Sequence, residues 1–277
     1  MRGYPKAKKV MAKSDKQITE WTVTPSHDME VVSARMGPNG LDSHFHDVWS
    51  IGAILEGTCS FRADGHDYQA HTGDLFLIPP FEVHSCSAAS KNVQYVVLYI
   101  AHEHLLKIDA NRFAALADSA QRVLAVPSLV GHVAALGSGY VDPQRAESLL
   151  KALAAILPAT PDSYTPERVP HPLQKVMHLL WQSDMELGEL ENHSPHSRWH
   201  TIRTFRRKTG LSPSAYLRQL RVLKARLLLK EKASLADVAQ LLYFSDQAHF
   251  TRVFKSVYGV TPGHLRRLIL QGEDQPK

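Results

Sequence analysis

Residues 197–213, SRWHTIRTFRRKTGLSP, align without a gap against residues 246–262, DQAHFTRVFKSVYGVTP. Five positions coincide: His200 with His249, Arg203 with Arg252, Phe205 with Phe254, Gly210 with Gly259, and Pro213 with Pro262. Each copy opens on a residue of N-capping type, holds one short helix, and closes on a glycine able to take positive φ. A short amphipathic segment precedes each copy, MELGELEN before the first and SLADVAQLLY before the second. Helix, turn, helix, twice over, is a tandem helix-turn-helix. Between the copies, PSAYLRQLRVLKARLLLKEK reads as one long helix of about 25 Å, the length that sets two such units about one DNA turn apart. Its Leu217, Leu220, Leu227 and Leu228 are expected to pack against both units.

The charge agrees. Residues 197–267 hold fifteen Lys/Arg against three Asp/Glu, whereas residues 21–170 hold nine against sixteen. Positive charge gathered on one helical segment is the footprint of a nucleic-acid binder, although a solvated basic surface would look the same from charge alone. The first twenty residues are also basic and read as a disordered tail. No apolar segment follows them, so no secretory leader is expected. The two cysteines are too few for a disulfide framework and fit a reducing cytoplasm. No apolar run is long enough for a bilayer.

Residues 29–100 carry another pattern. Short apolar stretches such as EVVSARM, WSIGAIL, DLFLIP and VQYVVLYI alternate with the turn signals GPNG, EGT, ADGHD and HTGD. That spacing predicts a closed or two-layered β domain. Helical spacing takes over in HLLKIDANRFAALADSAQRVLA and again in RAESLLKALAAIL, where Asp142 and Pro143 form an N-cap and first-turn pair. PATPDSYTPERVPHP, with five prolines, then reads as a linker. The fold class is α+β with two domains. Its expected parts are a tail (1–20), a barrel (21–102), a helical bridge (103–157), a linker (158–171) and a tandem helix-turn-helix domain (172–270).

The run SLADVAQLLYFSDQAHFTRVFKSVYGVTPGHLRR, with SRWHTIRTFRRKTGLSPSAYLRQLRVLKARLLL before it, resembles the AraC/XylS family of bacterial transcription regulators. The resemblance covers about residues 172–267 and implies binding in adjacent major grooves of promoter DNA, more often as an activator. Helical spacing puts Arg198, Trp199, Ile202 and Arg203 on one face of the first recognition helix, and Trp199 and Arg203 match positions where the family reads bases. The second helix offers Gln247, Ala248, Thr251 and Arg252. Arginine suits guanine, glutamine suits adenine, and alanine suits a thymine methyl. Arg206, Arg207, Lys208, Lys255, Arg266 and Arg267 read as phosphate contacts. Phe205, Phe250 and Phe254 read as core. The chain departs from the family pattern at Glu191, at Pro195 and at Tyr243, which stands where a turn glycine is usual.

HFHDVWSIGAILEG and GDLFLIPPFEVH resemble the two motifs of a cupin barrel, the usual sensor domain of this family. Metal-binding cupins supply two histidines and a glutamate from the first motif and a histidine from the second. The matching positions here are His44, His46, Ser50 and His84, so the carboxylate is missing. The favoured reading is a metal-free pocket for a small effector, with no cofactor, lined by Arg35, His44, His46, His84 and Tyr95, with His71 and Tyr99 as further candidates. If a metal binds, its ligands are His44, His46 and His84. The chain is thus expected to be a cytoplasmic DNA-binding regulator, not an enzyme. Its partners would be promoter DNA, an effector, RNA polymerase and a second copy joined through the helix over 142–157. The alternatives are a cupin metalloenzyme or metal sensor with a DNA-binding tail, and a constitutive DNA-bending protein.

Overall fold

The computed structural model describes residues 16–23, 29–37, 40–137, 141–158, 198–231 and 233–273. The segment MELGELEN, Glu191, Pro195 and nearly all of the proline-rich linker lie outside the described residues. The front half is built from two facing antiparallel sheets. The larger runs in the order β1 (Lys16–Val23), β2 (Met29–Met36), β9 (Val93–Ile100), β4 (Trp49–Glu56), β7 (Asp74–Ile78), β10 (Val123–Ala125). The smaller runs β3 (Leu41–His44), β8 (His84–Ala88), β5 (Thr58–Ala63), β6 (His66–His71). Asp64 and Gly65 both take positive φ and close the β5–β6 hairpin, as the ADGHD signal predicts.

Alternation along β9 explains its unbroken apolar run. Tyr95, Val97 and Tyr99 face the space between the sheets, while Val96, Leu98 and Ile100 face a helical layer on the outside. That layer is α1 (His102–Asp118, interrupted at Asp109), α2 (Pro127–Leu136) and α3 (Pro143–Ile156). Asp142 caps α3 by accepting from the Gln144 amide at 2.9 Å, with Pro143 in the first turn.

Three expectations are corrected here. The basic tail is shorter than twenty residues, because β1 begins at Lys16 and pairs with β2. Helical spacing runs on to Ala125 in the sequence, yet the helix stops at Asp118. Arg122 folds back and donates to the carbonyls of Leu116, Ala117 and Ser119, which ends α1. Val123–Ala125 then adds a strand to β7. The dimer seam is the third. Leu149, Leu150, Leu153 and Leu157 are buried in the chain's own helical layer, and of the five apolar residues only Ile156 is exposed, at 48%. The surface assigned to a second copy is filled by the chain itself.

The back half contains α4 (Arg198–Thr209), α5 (Pro213–Lys230), α6 (Leu235–Leu241), α7 (Gln247–Tyr258) and α8 (Pro262–Glu273). The two repeats fall on α4 and α7, and both end on left-handed glycines, Gly210 and Gly259. Phe205, Phe250 and Phe254 are buried, as expected. So are Leu217 and Leu220 of α5, but Leu227 is 41% exposed and faces away from the core. No helix among the described residues is long and apolar enough to cross a membrane. One apolar cluster runs from the barrel interior through Phe45 into the core of the helical half.

Candidate effector cavity and nucleic-acid interface

The space between the sheets encloses a cavity of about 50 Å³. Its walls are largely apolar, with Met36, Leu41, Ile54, Phe61, Ile78 and Val97 among them. Phe76 closes one side, and its ring occupies the place where a side chain on Gly52 would sit, so a larger residue there would have to displace the ring. The polar end is made by His44, His46 and His84, all buried. The His44 ring centroid lies 5.0 Å from that of His46 and 4.3 Å from that of His84. One ring nitrogen of each lies within 4.8 Å of the others.

The backbone orients two of these rings. His44 Nδ1 sits 2.7 Å from the Asp42 carbonyl, and His84 Nδ1 sits 2.9 Å from the Glu82 carbonyl. A carbonyl only accepts, so Nδ1 carries the proton and Nε2 is the basic nitrogen of the neutral ring. Glu82 is itself fixed by the buried Arg122, which donates to its two carboxylate oxygens at 2.7 and 2.6 Å. Ser50 Oγ lines the same cavity, buried and with no hydrogen-bond partner among the described residues.

None of the described lining residues is anionic. Burial pushes the Tyr95 and Tyr99 phenols well up, so both stay neutral donors. The Cys59 thiol is pushed up by its hydrogen bond with Cys86 and by burial. Among the described residues, no Asp, Glu, Lys or Arg lines the cavity. Tyr95 and Tyr99 therefore join the three histidines as expected. Arg35 does not, because β2 turns Ala34 and Met36 inward and leaves Arg35 exposed on the opposite face. His71 is exposed as well. Cys59, Phe61 and Cys86 were missed, although strand parity with Tyr95 and His84 would have found them.

The second surface is on the recognition helices. On α4, Trp199 is 80% exposed, Arg203, Arg206 and Arg207 are exposed, and Ile202 is half-buried. The side chains of Arg198 and Lys208 lie outside the described ones. On α7, Gln247, Ala248, Arg252 and Lys255 are exposed and Thr251 is half-buried. Arg267 of α8 is exposed and Arg266 half-buried. The α7 end is capped by Asp246, which accepts from the His249 amide at 2.6 Å and thereby fixes the first turn, where Gln247 and Ala248 stand. Tyr243, in the turn before α7, takes φ +56°. The backbone keeps the left-handed turn even without the usual glycine.

Comparison with known proteins assigns a domain type to each half. Residues 27–129 match the model of an AraC-like ligand-binding domain, and residues 193–268 match a helix-turn-helix domain. The uncharacterised helix-turn-helix transcriptional regulator YbfI of Bacillus subtilis is 26% identical over 220 residues, 75% of this chain and 80% of its own length. PqrA of Proteus vulgaris, described as a probable transcription factor, is 37% identical over 83 residues, 30% of this chain and 68% of PqrA. In fold, the chain is similar to ToxT of Vibrio cholerae, with a TM-score of 0.55 and 11% identity over 87% of this chain and 98% of ToxT. The chain therefore belongs to the AraC family of transcriptional regulators, in which a ligand-binding domain is joined to a helix-turn-helix DNA-binding domain.

Proposed function

We propose that this regulator senses a small effector in the barrel cavity and acts on its promoter as an activator, reading bases through Trp199, Arg203, Gln247 and Arg252. The observation that carries the sensing half is the polar end of the cavity. The Ser50 hydroxyl, buried behind apolar walls beside three imidazoles and with no hydrogen-bond partner among the described residues, is costly in a barrel that serves only as a scaffold. A ligand that paired with this hydroxyl would recover that cost. A cavity of about 50 Å³ suits a compact molecule unless the barrel widens. The activator assignment rests on the family resemblance alone.

A second reading is favoured by one specific observation. One ring nitrogen each of His44, His46 and His84, within 4.8 Å of one another, suits a three-imidazole site for Zn²⁺ or a similar ion, even though Ser50 replaces the cupin carboxylate. In that case the effector is the metal itself, and the three histidines hold it with Nδ1 of two rings pinned by the backbone.

A thermal-shift screen of the full chain against organic acids, amino acids, sugars and divalent metals separates the two. A ligand at 100 times its Kd adds about 2.7 kcal/mol, a clear rise in midpoint. The expected result is stabilisation by a small organic molecule that His46→Ala abolishes. Stabilisation by a metal alone, lost on changing any of the three histidines, would replace the first reading with the second. No stabilisation by any compound would count against both.

A further inference from the structure

Residues Ser43–Asp47 face two ways. His44 and His46 point into the cavity, while the groups around them are held by α5. Gln219 of α5 donates through Nε2 to the Ser43 carbonyl at 2.7 Å and accepts through Oε1 from the Phe45 amide at 3.0 Å. The Phe45 ring stacks on Tyr216 with centroids 4.5 Å apart and planes 25° apart. Arg226 donates to Glu30 of β2 at 2.7 Å and lies 3.8 Å from Asp47. Tyr216, Gln219 and Arg226, three and then seven residues apart, form one stripe of α5, and all three are buried. From α7, the Tyr258 ring lies 6.0 Å from His46.

We infer that Ser43–Asp47 is a shared wall that couples occupancy of the cavity to α5, the helix that fixes the spacing of the two recognition helices. A shift of the strand that carries His44 and His46, made to receive a ligand, moves the Ser43 carbonyl and Phe45 amide held by Gln219's two hydrogen bonds. A close-packed seam transmits such a shift rather than absorbing it. The contact also leaves the recognition faces open, because Trp199, Arg203, Gln247 and Arg252 are all exposed in the same structure. The wall therefore acts on the placement of the two readers and not by covering them. The closed seam is incompletely satisfied. Asp47 Oδ1 and Arg226 Nε are buried without a hydrogen bond among the described residues, which lets a second arrangement compete with this one. The inference rests on the effector reading only for what fills the cavity.

Coupling between sites is reciprocal, so DNA must be felt in the cavity. Cys59 and Cys86 are the chain's only cysteines and both line it, which makes their rate of reaction with dithiodipyridine a gauge of its opening. The test uses the full chain and DNA that it selects from a random pool. Gln219→Ala is expected to label about tenfold faster, the effect of losing two ordinary hydrogen bonds on an opening equilibrium. Selected DNA is expected to change the wild-type rate, and to change the variant's rate much less. Gln219→Met keeps the packed stem and serves if the alanine variant does not fold. Arg221→Ala, at the part of α5 that touches Tyr243, is expected to label like wild type. A wild-type rate indifferent to DNA, or a rate in both Gln219 variants equal to wild type, would overturn the shared wall. No ligand enters this test, so a failed ligand screen sinks the effector reading alone, and unchanged labelling sinks the wall alone.

Discussion

Arg203 and Arg206 sit one turn apart on α4, and both are exposed cations, yet they are expected to behave differently. Arg203 stands one turn from Trp199 on the outward face and is proposed above to read a base. Arg206 lies further along toward the basic Arg207. Arg203→Ala should cost about 1–3 kcal/mol on selected DNA and relax preference at one base pair. Arg206→Ala should weaken selected and random DNA alike and flatten the salt dependence, because phosphate contacts release counterions. Competition binding at several salt concentrations checks both. Equal losses for Arg203→Ala on selected and random DNA would make it a phosphate contact, and an unchanged salt slope would remove Arg206 from the phosphates. Tyr243 is informative at the same scale. A bulky residue at φ +56° is strained, and its ring, 58% exposed, has the Arg221 guanidinium 5.7 Å above it as its one described ring contact.

Among the elements, α7 depends on its cap. The His249 amide donates to Asp246, and that bond holds the carboxyl below its ordinary range. A depressed folded-state value means the stabilisation is present above the unfolded carboxyl's pKa and is lost as pH falls through the folded one. Asp246→Ala should therefore lower the melting midpoint at neutral pH, and the gap from wild type should close as the solution becomes acidic. A gap that persists undiminished in acid would show that the carboxylate charge is not what stabilises the turn. Elements also differ in how far the sequence reveals them. The repeat, its left-handed glycines and the Asp142–Pro143 start of α3 are local signals, and they are legible because the residues act on their own backbone. The end of α1 is not. Helical periodicity continues through Val123–Ala125, and only a nonlocal event, Arg122 folding back between α1 and Glu82, turns that stretch into a strand. The leucines of α3 were legible as an apolar face, but what covers that face is a tertiary fact. The cavity was half legible. His44, His46 and His84 follow from the motif resemblance and Tyr95 from β alternation, whereas Arg35 fails by one position of strand parity. Gln219 and Arg226 could not be read at all, because their partners lie more than 170 residues away.

At the level of the whole molecule, an acidic sensing half and a basic reading half share a wall. A ligand shifts such a system only by its difference in affinity between two arrangements, and the shift is typically five- to 150-fold in the coupled affinity, about 1–3 kcal/mol. The measurement that tests this most directly is the affinity of the full chain for its selected DNA, by fluorescence anisotropy, with the stabilising ligand absent and then saturating. The expected result is a change in Kd of at least about fivefold, abolished by His46→Ala. An identical Kd with the cavity full and empty would contradict the account, leaving a DNA-binding protein whose barrel ligand does not govern its hold on DNA.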